Sequence, residues 1–153
     1  MFASKTPRII TRTNDENLVL PTLNQLFAKA GQPVRDLAKL EIALQNSLLF
    51  VTARILRDDT VVGFVRVTGD GVFNAAIWDF VVDPSLSNGE DIKKMLLQRL
   101  KQEIRRTGLQ CSVTIFAQPE DVAFLQQANF SEDQDGIQAM ALRRGLLKWR
   151  SPF

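Results

Sequence analysis

A single mixed α/β layer, with one long helix packed on a sheet, is the fold class that this sequence predicts. Three observations carry it. Apolar residues switch between helical and strand periods in the order β, α, α, β, β, β, α, β, α, β. Three strand-like runs follow one another between Leu48 and Val82 with only short polar turns between them. The chain's 153 residues, 45% of them hydrophobic, suit one ordinary domain with one sizeable core. We therefore expect one domain over 1–142 and a basic tail over 143–153.

Arg8 to Arg12 is a short β-branched run and reads as the first strand, followed by the polar turn Asn14 to Asn17. Leu18, Leu20, Leu23, Leu26 and Phe27 recur at helical spacing and stop near Gly31-Gln32-Pro33. A second helical pattern, Leu37 to Leu44, ends at Asn46, so the two helices form a hairpin across the glycine-proline break. Leu48 to Leu56 and Val61 to Val67 flank Arg57-Asp58-Asp59-Thr60 and read as a β-hairpin. After Gly69-Asp70-Gly71, Ala75 to Val82 forms an apolar strand ended by Asp83-Pro84. The three strands should be antiparallel neighbours. Ile92, Met95, Leu96, Leu97, Leu100 and Ile104 mark a long amphipathic helix that Gly108 caps. Ser112 to Ala117 reads as a strand, Glu120 to Ala128 as a short helix and Ile137 to Leu142 as a last strand.

Composition removes several chemistries. The chain has no histidine and one cysteine, Cys111, so it offers no disulfide, no zinc or iron ligand set, no serine triad and no cysteine-histidine pair. Without an imidazole to lower its pKa, Cys111 reads as a small core residue. No tyrosine is present. A formal charge of +2 is too small for binding nucleic acid without regard to sequence. No run reaches the length of a membrane span, and the N-terminus lacks a signal peptide's apolar stretch, so a soluble, intracellular protein is expected. The one local basic excess is Arg143, Arg144, Lys148 and Arg150, with Trp149 among them. Two readings stand for it: a soluble tail, or a docking segment for an acidic protein partner or, peripherally, a membrane surface.

The segment Thr68 to Asp79, continuing to Val81-Val82-Asp83-Pro84, is very similar to the central hairpin of the GNAT acetyltransferase superfamily. It matches more narrowly the plastid and cyanobacterial branch of serotonin and protein N-acetyltransferases. Gly31 to Asp36, Asp121 to Phe124 with Phe130, and Asp135 to Met140 add support in the same order along the chain. The resemblance implies the GNAT fold, a mixed and mostly antiparallel sheet of six to seven strands with four helices. It also implies acetyl-CoA as cofactor. The backbone of Phe80, Val81 and Val82 would pair with the pantetheine arm. The helix N-terminus, Asn88, Gly89, Glu90, Asp91, Ile92 and Lys93, would take the pyrophosphate, and Gln118 would lie beside the coenzyme.

Members of this family carry a Gln-Gly-x-Gly-x-Gly turn at that helix, because glycines let several backbone N–H groups converge on the pyrophosphate. This chain has Ser87-Asn88-Gly89-Glu90-Asp91-Ile92, with one glycine and two acids. The acids suit an empty helix N-terminus and repel a bound anion. The family's general acid is a tyrosine in a Phe-Tyr-x-x-x-Gly-Phe pattern; here the chain reads Phe124 to Phe130 with Leu125 at the tyrosine and Asn129 at the glycine. Leucine donates no proton. Asp79 matches a residue of the branch, and two readings stand for it: general base toward the amine, or hydrogen-bonded strand residue.

Taken together, the sequence points to a GNAT-fold protein with a degenerate acetyl-CoA site. Such a protein would serve as an assembly, adaptor or regulatory factor, with a protein partner of the photosynthetic apparatus suggested by the branch. The alternatives are a working N-acetyltransferase acting on a primary amine, and a sensor for another small molecule. The branch places the protein in a cyanobacterial cytoplasm or plastid stroma.

Overall fold

A computed structural model describes residues 6–143. The chain divides into two compact units, Met1–Ile115 and Phe116–Phe153. The first contains β1 (Ile9–Thr13), α1 (Leu20–Lys29), α2 (Leu37–Gln45), β2 (Leu49–Ile55), β3 (Val61–Gly69), β4 (Asn74–Val82), α3 (Gly89–Arg106) and β5 (Ser112–Ile115). The strands lie in sequence order, antiparallel from β1 to β4, with β5 parallel to β4. The antiparallel trio expected from the sequence is there.

Capping and turn chemistry fix the helices and hairpins. Gly31 takes φ +76 after α1, and Gln32 N–H donates to the Phe27 carbonyl at 2.8 Å, which closes the helix in a left-handed cap. Asp36 caps α2 by accepting from Lys39 N–H at 2.9 Å. Gly108, at φ +68, ends α3 in the position its sequence signals. In the β3–β4 turn one oxygen of Asp70 accepts from the N–H groups of Val72, Phe73 and Asn74.

β2 and β3 are buried along most of their length, because helices cover both faces of the sheet. Leu23, Leu26 and Phe27 of α1 and Leu40 of α2 join Val61, Phe64 and Val81 in one apolar cluster. Phe27 meets Phe64 edge to face at 5.9 Å. Ile92, Leu96, Leu97 and Leu100 form the buried side of α3. A Cβ added to Gly63 would lie 3.0 Å from Leu96 and 3.1 Å from both Ala53 and Ile92, so this glycine sets how closely α3 approaches β3.

In the second unit a single 3-10 turn, Pro119–Asp121, leads into α4 (Val122–Gln127). The strand expected over 137–142 is absent: among the described residues none follows β5, so the sheet has five strands instead of six or seven. Ile137, Met140 and Leu142 are exposed. A short apolar run permits a strand, whereas a strand exists only when its N–H and C=O groups find a ladder. No helix among the described residues is long and apolar enough to cross a membrane.

Candidate functional site

The site begins with an irregularity in β4. Phe64 pairs with Val81 and Arg66 with Trp78, so Asp79 and Phe80 together oppose the single residue Val65. This is a β-bulge, and Asp79 sits in it at φ +57, a conformation costly for a residue with a Cβ. The simple alternation expected through Trp78, Asp79 and Phe80 is therefore broken at Asp79.

Two arginines hold the bulge. Arg35, in the loop between α1 and α2, donates from Nη1 to Asp79 Oδ2 at 2.7 Å and from Nη2 to Oδ1 at 2.6 Å. Arg66 of β3 donates from Nε to Oδ2 at 2.7 Å. Arg35 is itself positioned: the Asn24 side chain donates to its carbonyl at 2.7 Å and accepts from its N–H at 3.0 Å. Its guanidinium also lies 4.4 Å from the centre of the Phe27 ring. Burial alone would raise the Asp79 pKa; hydrogen bonds from Arg35 and Arg66 outweigh it and hold the carboxyl below its ordinary range. The geometry is that of a hydrogen-bonded strand residue, and an ion-paired carboxylate of lowered pKa is a weakened base.

Arg35, Arg66 and Asn24 were not among the residues singled out from the sequence as site residues. One signal for Arg66 was available: an arginine inside the apolar run Val61 to Val67 requires an acidic partner.

The β4–β5 ladder ends at the Ile77–Ile115 pair, while β4 runs on through Phe80, Val81 and Val82. The chain then turns through Asp83, whose carboxylate accepts from Ser85 N–H and Oγ and pairs with Lys29. Asn88 precedes α3 without a side-chain capping bond, and its amide oxygen is buried without a partner among the described residues. The first-turn N–H groups of Gly89, Glu90 and Asp91 donate to no protein acceptor among the described residues. Glu90 and Asp91, the two acids of the first turn, are exposed. Ile92 is buried in the core and Lys93 is half-buried.

No residue between Asp83 and Ile92 adopts a left-handed backbone. A Cβ at Gly89 would meet only Val82, at 3.7 Å, so its glycine character is not used.

Gln118 and Leu125 belong to the second unit. Gln118 precedes the 3-10 turn in extended conformation and its carbonyl accepts from Asp121 N–H at 2.9 Å. Leu125 is buried. α4 ends with Asn129 at φ +72, Phe130 N–H donating to the Leu125 carbonyl at 2.9 Å and Asn129 N–H to that of Gln126 at 3.2 Å. Asn129 thus performs the glycine's conformational task. Arg143 is exposed; Arg144, Lys148, Trp149 and Arg150 lie outside the described residues.

The profile of the acetyltransferase (GNAT) family matches residues 19–130. The chain belongs to that family. A chloroplastic GCN5-related N-acetyltransferase 1 from Arabidopsis thaliana is 38% identical over 88% of this chain and 68% of its own length. An uncharacterized N-acetyltransferase, ycf52, from Pyropia yezoensis is 35% identical over 84% of this chain and 74% of its own. A GNAT-family acetyltransferase from Streptococcus pneumoniae superposes with a TM-score of 0.73 at 23% identity, covering 90% of this chain and 98% of that one, which establishes the shared fold. The resemblance read from the hairpin residues holds at the level of family and plastid branch.

GNAT acetyltransferases use acetyl-CoA. At α3 the open first-turn donors fit an anion, whereas the absence of left-handed residues, the buried Asn88 oxygen and the two neighbouring carboxylates do not fit a pyrophosphate nest.

Proposed function

We propose that this chain is a GNAT-fold protein whose acetyl-CoA site has lost the means of acetyl transfer, and which acts on another protein as an assembly or regulatory factor. The observation that carries the reading is the condition of Asp79. Acetyl transfer to an amine needs an acceptor for the amine's proton, and the acid that β4 offers has both oxygens held by guanidinium groups. The opposite role, protonating a departing thiolate, has no candidate where the family uses tyrosine: Leu125 stands there, and the chain contains neither tyrosine nor histidine. Arg143 to Arg150, with Trp149, is the proposed docking segment, and a partner in the photosynthetic apparatus of a plastid or cyanobacterium accords with the relative's chloroplast location.

A second reading, an active N-acetyltransferase on a primary amine, draws on the open first turn of α3 and the names of its relatives. One experiment separates the two: thermal shift and calorimetry with acetyl-CoA, alongside release of free thiol in the presence of amines. The proposal expects no stabilisation at near-millimolar coenzyme and no thiol release. A ligand at one hundred times its Kd adds about 2.7 kcal/mol of stability. A shift of that size with turnover would overturn the proposal in favour of the enzyme.

A further inference from the structure

The cluster around Asp79 does not balance. Two guanidinium charges face one carboxylate, leaving an excess of one positive charge among side chains that are 31% (Arg35), 17% (Arg66) and 9% (Asp79) exposed. Arg66 donates only from Nε; among the described residues neither of its Nη amino groups meets an acceptor. Neither Nη group is among the buried atoms that lack a partner, so this edge of the guanidinium is reached from solvent and is open to a ligand. We propose that Arg66, supported by Arg35, is the anchoring group of a binding site for an aliphatic carboxylate ligand, taken on the open Nη1–Nη2 edge.

The chemistry favours a carboxylate over other anions. The edge presents two parallel N–H groups, which match two carboxylate oxygens. Arg35 already grips the Asp79 carboxylate in this bidentate manner at 2.7 and 2.6 Å. A monoanion cancels the excess charge, whereas a phosphate dianion would leave the cluster negative. The proposal is independent of whether acetyl transfer occurs, because Arg35 and Arg66 are placed by Asn24, Phe27 and Asp79 without any coenzyme.

Trp78 supplies the reporter, since it is the register partner of Arg66 and the neighbour of Asp79. In W149F protein it is the one remaining tryptophan. Its fluorescence would be titrated with sodium butyrate, a monocarboxylate, and separately with inorganic phosphate and with sodium chloride at matched ionic strength. The expected result is a saturable change with butyrate, weakened at least about tenfold in R66M and tightened in D79N, which removes the competing carboxylate. Should R66M fail to fold, R66K keeps the charge and loses the fork, and should still weaken binding. No saturation, an equal response to chloride, tighter binding of phosphate than of butyrate, or an affinity unchanged in the Arg66 variants would overturn the site.

Discussion

Arg35 holds both carboxylate oxygens of Asp79 from 44 positions earlier in the chain, and so ties the loop between α1 and α2 to the bulge of β4. Removing the acid leaves two guanidinium groups facing each other without a counter-charge. D79N should lower the unfolding free energy by about 1.5–3 kcal/mol, measured by urea denaturation. R35M should cost less, because Arg35 is 31% exposed and solvent screens its charge.

The same pair sets a pH dependence. The Asp79 pKa is held below its ordinary 3.8, so on acidification the unfolded chain takes up this proton before the folded one does. The contribution is therefore complete above the unfolded value and is lost as the pH falls through the lower folded value. The stability difference between wild type and D79N should stay level from neutrality to about pH 5 and shrink below the unfolded value near 4. A difference that shrinks already between pH 7 and 6 would contradict this assignment.

Two glycines should respond oppositely to alanine. At Gly63 the new methyl would press on Leu96, Ala53 and Ile92 at 3.0–3.1 Å, and overpacking of this kind costs about 1–3 kcal/mol. At Gly89 it would meet Val82 at an ordinary 3.7 Å. G89A should leave stability unchanged or raise it by about 0.4–1 kcal/mol, through the smaller freedom of the unfolded chain. Thermal melts of the two variants provide the comparison.

Asn129 carries a left-handed backbone at the end of α4. N129G should preserve or slightly raise the melting temperature, while N129A should destabilise by about 1 kcal/mol, since alanine lacks the polar side chain that eases this conformation. Equal melting temperatures for the two would remove the case that Asn129 replaces the family's glycine as a cap.

Glu90 and Asp91 face solvent beside the uncapped first turn of α3. Neutralising both, as E90Q/D91N, should cost about 1 kcal/mol at low salt through the lost interaction with the helix dipole. The loss should fade toward 1 M salt, where screening shortens to about 3 Å. Chemical denaturation with urea at the two salt concentrations tests it.

Much of this architecture was legible because its signals are local. The strand periods from Leu49 to Val82 survive because helices cover both faces, and Gly31 and Gly108 end helices through a conformation that glycine adopts without steric cost. The five-strand sheet departs from expectation at 137–142, where an apolar run is present without a ladder. Asp79 could be named as a candidate from the hairpin it sits in. Its bulge could not, since no residue type there requires a positive φ. Nor could its partners be paired with it from sequence, because Arg35 meets it only after the helix hairpin has folded onto the sheet. The acids Glu90 and Asp91 were legible as first-turn residues of the long helix, because an amphipathic run that begins at Ile92 fixes where that helix starts.

The Asn24, Arg35 and Asp79 chain of bonds also joins regions that would otherwise open separately. A loop between two short helices ordinarily exchanges its amide protons through small local fluctuations. Here the loop's backbone is fastened to α1 and its side chain to the strand bulge, so releasing the loop means giving up the counter-ion of Asp79 as well. The amides of the loop and of the β4 bulge are therefore expected to exchange together, at a rate set by the shared opening of both segments.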